Sequence, residues 1–117
     1  MVTYRRFDQA TEFEILTVSG PVSANGNNQL VPAPGANHRI VLTAVMLQNR
    51  SATATLIRLT DGNGGAQKEG VWCQNQGDGL AWVYPLDARP KLTVNTALVA
   101  NLSGANSCGV TIHYYVE

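Results

Sequence analysis

The sequence predicts an all-β domain, a single antiparallel β-sandwich of jelly-roll type with about seven to nine short strands. Three observations predict it. Apolar and polar residues alternate with a period of two in short runs. Glycine, proline, asparagine and aspartate interrupt those runs every ~8–12 residues. No stretch carries the 3.6-residue periodicity of a substantial amphipathic helix. At 117 residues the chain forms one domain, which buries roughly two-thirds of the surface its unfolded form exposes and folds without staples.

Residues 1–11 are polar, with scattered aromatics at Tyr4 and Phe7 and a basic pair at Arg5-Arg6, and their periodicity is too short for a stable helix. They read as an N-terminal arm, either a frayed end or an extension that docks on a partner, ahead of a sandwich over residues 12–117. Residues 12–19 alternate Phe13, Ile15 and Thr17 with Glu14, Leu16 and Val18, a first strand ended by Gly20-Pro21. Residues 20–37 read as loop, with a short edge strand at 29–31.

The most strongly patterned stretch is 39–62, RIVLTAVMLQNRSATATLIRLTDG, which reads as two long strands joined by a short polar turn. In its first run Ile40, Leu42, Ala44 and Met46 share one face and Val41, Thr43, Val45 and Leu47 the other. Both faces are largely apolar. Such a strand lies mid-sheet, between the sandwich core and either another element or a neighbouring subunit. The second run alternates Thr55, Ile57 and Leu59 with Ala54, Leu56 and Arg58 and stops at Asp61-Gly62.

The DGNGG run that follows lacks the alternate carboxylates of a calcium loop and the Gly-Lys-Ser/Thr of a phosphate loop, so it reads as a turn. A short strand at 71–74, the turn NQGDG, and a strand at 80–84 with Leu80, Trp82 and Tyr84 on one face come next, and Pro85 ends the last. Residues 90–102 read as one bent strand or two short ones, with Leu92, Val94, Leu98, Ala100 and Leu102 inward. The C-terminal strand alternates most cleanly, Val110, Ile112, Tyr114 and Val116 against Thr111, His113, Tyr115 and Glu117.

Eight basic residues balance eight acidic ones, which leaves no electrostatic footprint for nucleic acid or an anionic membrane. Only 14% of residues are charged, and near-zero net charge favours association, so much of the surface is expected to lie against other protein. No run reaches the ~18 apolar residues of a membrane span, and the first residues lack the apolar core of a signal peptide. The chain is therefore expected to be made in a cytoplasm, with Cys73 and Cys108 as reduced thiols. The sequons Asn49-Arg50-Ser51 and Asn101-Leu102-Ser103 are read as chance.

Neither His38 nor His113 has ligand-spaced partners, and no nucleophile with a base, carboxylate pair or metal cluster is visible, so neither catalysis nor a cofactor is expected. The aromatics are more informative. Trp72, Trp82, Tyr84, Tyr114 and Tyr115 are too many for one small core under strand alternation. They read as caps on the core ends, a subunit interface, or a sugar-stacking platform. Trp72, Trp82, Tyr84, His113 and Tyr115 are the interface or ligand-stacking candidates.

The order of features, an HRI strand start, a polar turn, a strand ending in DG, then GDGLAWVYP and a final ALVANLS...CGVTIHYYVE, resembles the small β-sandwich virion proteins of tailed bacteriophages, the head decoration (cement) proteins and related knob or fibre-like structural proteins. The resemblance covers residues 37–117. It implies a homotrimer on the capsid surface, made in the host cytoplasm, that binds the major capsid protein and clamps shell subunits together by many modest contacts. Tyr4, Arg5, Arg6 and Phe7 are then the candidate capsid contacts, the arginines suiting exposed carboxylates. The rival expectations are a carbohydrate- or receptor-binding module that stacks Trp72, Trp82 or Tyr84 on a surface glycan, and a structural part of the tail or baseplate.

Overall fold

The chain folds as one long hairpin that then rolls up on itself. A computed structural model describes residues 13–117, so the expected arm lies outside the described residues. Eight strands follow in order: β1 (Leu16–Val22), β2 (Gly26–Val31), β3 (Ile40–Asn49), β4 (Thr55–Asp61), β5 (Gln67–Cys73), β6 (Gly79–Val83), β7 (Leu98–Leu102) and β8 (Cys108–Val116), with a single 3-10 turn at Leu86–Ala88. Antiparallel pairing joins β1 to β8, β2 to β7, β3 to β6 and β4 to β5. The hairpin closes on itself where β3 also pairs β8 and β4 also pairs β7. Two four-stranded sheets result, β1-β8-β3-β6 and β2-β7-β4-β5. This is the wrap of an eight-stranded jelly roll.

The core lies between the sheets. Ile40, Leu42, Val45 and Leu47 of β3 and Ile112 of β8 meet Ile57 and Leu59 of β4 and Leu98, Ala100 and Leu102 of β7. Each large apolar side chain buried this way contributes about 1.5–3 kcal/mol. The two thiols, Cys73 and Cys108, are free and wholly buried in the same cluster.

Several expectations change at this level. Residues 39–62 do not form a hairpin: β3 belongs to one sheet and β4 to the other. The corner is made by Asn49, whose fully buried side chain donates from Nδ2 to the carbonyls of Thr53 (2.9 Å) and Asn75 (3.4 Å) and accepts from the Ser51 N–H and hydroxyl (both 3.0 Å). A sequon reading fails at Asn49 on the same ground, since its amide is consumed inside the protein. β3 is mid-sheet, as its two apolar faces predict. However, the register shifts between Leu42 and Ala44. This bulge turns Leu42 and Val45 to the core and moves Met46 to the outer face, where it is 50% exposed.

Gly20-Pro21 does not end β1. Pro21 pairs with Gly109, and β1 is an edge strand, where a missing N–H is tolerated. β2 is the expected edge strand but starts earlier, and β5 likewise extends back into the glycine-rich run. Of residues 90–97 only Lys91 forms a bridge, to Val41. The rest is loop, held to the end of β4 by the Asp61 carboxylate, which accepts from the Thr93 N–H (3.0 Å) and hydroxyl (2.5 Å).

Candidate functional site

The polar groups of the described residues are largely engaged in holding the fold. The Asp78 carboxylate accepts from the Asn75 N–H at 2.8 Å and fixes the β5–β6 turn. Glu117 accepts from Arg39 Nε (2.6 Å) and Lys91 Nζ (3.2 Å), tying the C-terminus to the start of β3. Burial pushes the Glu117 carboxyl up, but the hydrogen bonds and charges of Arg39 and Lys91 outweigh it and hold the group below the usual carboxylate range. On the outer face of the second sheet, Arg58 Nη2 donates to Asn101 Oδ1 (2.6 Å) and Asn101 Nδ2 to Asn27 Oδ1 (3.0 Å). Among the described residues no three His, Cys, Asp or Glu side chains gather as a metal site would require.

The outer face of the first sheet divides in two. Cross-strand register sets Thr17, His113, Ala44 and Val83 in one row and Ser19, Thr111, Met46 and Ala81 in the next. Over β1 and β8 the rows are polar and satisfied within the sheet: Thr17 Oγ1 bonds His113 Nδ1 at 2.8 Å, and the Ser19 and Thr111 hydroxyls lie 2.9 Å apart. Over β3 and β6 they are apolar. An open concavity of about 310 Å³ lies between Met46, Trp82, Val83 and His113, and a second of about 320 Å³ continues from Met46 and Ala81 toward Gln48 and Gly77. Val83 is 77% and Trp82 54% exposed.

The five aromatic and histidine candidates therefore separate. Trp72 on β5 and Trp82 on β6 are exposed, 58% and 54%, and stand on the edge strands of the two sheets on the same side of the sandwich. His113 is exposed, beside the apolar strip. Tyr84 and Tyr115 are not available for stacking on a ligand. Tyr84 is buried, and its hydroxyl donates to Glu69 Oε1 at 2.5 Å. Burial first, and then that neighbouring carboxylate, push its phenol pKa up. Tyr115 is buried against the outer side of the first sheet, with Phe13 stacked on it at 5.1 Å and the Arg89 guanidinium 5.8 Å from its ring centre. Tyr4, Arg5, Arg6 and Phe7 lie outside the described residues.

Met46, Ala81 and Val83 are the surface residues that pattern reading misses. Alternation assigns Met46 to the face of Ile40 and Leu42, and only the bulge, which has no signature in the sequence, reverses it. For Val83 a signal exists in retrospect: a β-branched residue between two aromatics belongs to the opposite face from both. No protein-family model matches the chain, and no curated protein matches it in sequence.

Proposed function

We propose that this protein is a structural component of a phage virion, of the capsid-decoration kind, which works as a symmetric oligomer on the head surface and braces contacts between subunits of the major capsid protein. One observation carries the reading. A jelly roll whose described carboxylates and thiols mostly serve the fold leaves Met46, Ala81 and Val83 open on the outer face of one sheet, with the exposed Trp82 beside them on the edge strand. Large exposed apolar surface on a small domain marks a protein contact. The resemblance of residues 37–117 to decoration proteins supplies the kind of partner, and a low-charge surface supports dense packing on a shell.

The test is co-sedimentation of the full chain with heads assembled without it. Saturable binding to heads is the expected result. Protein that stays in the supernatant with heads but sediments with tails or baseplates would move it to the tail, and failure to bind either would end the virion reading. A second reading, a glycan-binding module, is favoured by the two exposed tryptophans, whose flat apolar faces suit a sugar ring. A glycan array that gives signal with the intact chain, lost on Trp72→Ala and Trp82→Ala, would support it.

A further inference from the structure

We infer that β6 is a self-pairing edge: two copies of this chain join their first sheets by antiparallel β6–β6 pairing about a twofold axis at Ala81. The argument starts from the backbone. Asn49 N–H donates to the Asp78 carbonyl (2.8 Å) and Tyr84 N–H to the Thr43 carbonyl (2.9 Å). With the register Leu47–Leu80 and Val45–Trp82 between them, the alternation of an antiparallel ladder points the backbone groups of Leu80 and Trp82 at β3. Those of Gly79, Ala81 and Val83 point away. No described strand pairs with that side, and Ala81, Trp82 and Val83 are all exposed.

Each sheet has two edges, and three of the four are blunted in ways that discourage pairing. β1 carries Pro21 and Gly20. β2 is polar, GNNQLV, with a register shift between Gln29 and Val31. β5 carries Lys68 and Glu69, with a shift opposite Leu59 and Thr60. β6, GLAWV, has no charge, no proline and no bulge. An open apolar edge without such devices is a template for another strand.

The occupant follows from the side chains. Centred on Ala81, antiparallel self-pairing places Ala81 opposite Ala81 and Gly79 opposite Val83 on the outer face. These are small residues at the axis, with no clash to relieve. On the inner side it places Leu80 of each copy opposite Trp82 of the other, covering the half-exposed indole twice. The apolar strips over β3 and β6 then become one continuous surface across the axis. The formal net charge of zero sets no general repulsion between copies. A foreign strand could satisfy the backbone equally well, but only a second copy is guaranteed the matching Leu80–Trp82 pairs. This arrangement is twofold, in place of the threefold unit that the resemblance implies, and it stands whether or not the protein binds heads.

The experiment is light scattering with size exclusion on the full chain from ~1 to ~100 µM, with two variants at the axis. The wild type is expected at twice the 12.5 kDa chain mass. Ala81→Lys, whose side chain projects into solvent in one copy but faces its equivalent in two, should weaken association at least about tenfold while keeping the wild-type circular dichroism. Ala81→Cys should give a cross-linked dimer with oxidised glutathione, which takes up the two electrons and two protons as the Sγ–Sγ bond forms. Directly opposed residues in a hydrogen-bonded pair have Cα atoms about 5.5 Å apart, within disulfide reach. Gln29→Cys on β2 should not cross-link. A single-chain mass at the highest concentration, a threefold mass, a doubled mass that survives Ala81→Lys, or no cross-link in Ala81→Cys would each overturn the pairing.

Discussion

Replacing Asn49 by Ala tests whether one buried amide holds the corner that sets β6 in place. Its side chain makes four hydrogen bonds, and they are unequal. The Thr53 carbonyl keeps other donors when Asn49 is gone, the Ser51 hydroxyl at 3.1 Å and the Thr55 hydroxyl at 2.9 Å. The Ser51 N–H loses the acceptor it has in Asn49 Oδ1. The Asn75 carbonyl loses its tie to this corner and keeps the Asp78 N–H at 3.2 Å, while Gln76 Nε2 still reaches the Arg50 carbonyl at 2.9 Å. An unsatisfied buried group costs about 1–3 kcal/mol, and the space left by the amide adds to it. The sum is about 2–3 kcal/mol, which at about 4 °C per kcal/mol for a domain of this size lowers Tm by about 8–12 °C. Calorimetry measures this directly. Gln29→Ala, exposed on the edge strand β2, is the control and should cost under about 1 kcal/mol. A loss below about 2 °C in Asn49→Ala would show that the backbone bonds of Asn49 to Asp78 and Gly77 hold the corner alone, and the reasoning would fail.

Two further outcomes are expected. Because the Glu117 carboxyl is held below its ordinary range, it binds protons less readily folded than unfolded, so its stabilisation is present above the usual carboxylate pKa and is lost as pH falls through the folded value. Glu117→Gln should therefore lower Tm at pH 7 and have little effect near pH 3, and an equal effect at both pH values would refute the role of the charge. Burial pushes both thiols up, more than the Asn49 backbone bond pulls Cys73 down, and Cys73 adds to the effect on Cys108. A thiol reagent should then leave the native protein unlabelled over minutes and find two thiols in denaturant; rapid native labelling would contradict the burial.

The strands were legible in the sequence because their signal is local. β4 and β8 announce themselves by apolar alternation and β3 by a run apolar on both faces, and the core members Ile57, Leu59, Ala100, Leu102, Val110 and Ile112 follow from the alternation. What alternation cannot carry is which strand meets which. A polar turn after Asn49 suits a hairpin as well as a crossover between sheets, and the choice is made by β8 filling the place beside β3 from the far end of the chain. The bulge at Leu42–Ala44 is similarly non-local, because it exists only relative to the partner strand. The same limit applies to the aromatic candidates. Composition says that some must lie outside the core, but it is the sheet order that leaves Trp82 on an edge and puts Tyr115 beneath Phe13.

The scarcity of charge and the openness of β6 belong to one argument. A β-sandwich normally keeps its edges apart with lysines, prolines and net charge. Here several of the described charges are turned to the fold: Asp61 to Thr93, Asp78 to the turn at Asn75, Glu117 to Arg39 and Lys91, and Arg58 to Asn101. Arg50 lies close over Gly109, where even a methyl group would meet its guanidinium at 2.7 Å. Little long-range repulsion remains to decide how copies meet, so the decision passes to short-range shape. That shape is fixed with some rigour at β6. A Cβ at Gly79 would lie 2.1 Å from the Leu47 carbonyl oxygen, so the strand can enter this close against β3 only with glycine at its first position. The turn before it is latched by Asn49 and Asp78. An edge held this firmly presents its outward N–H and C=O groups in one register, which lowers the ordering cost of pairing. Substituting Gly79 by Ala should accordingly loosen β6 from β3 and weaken self-association together, whereas Ala81→Lys should weaken association alone.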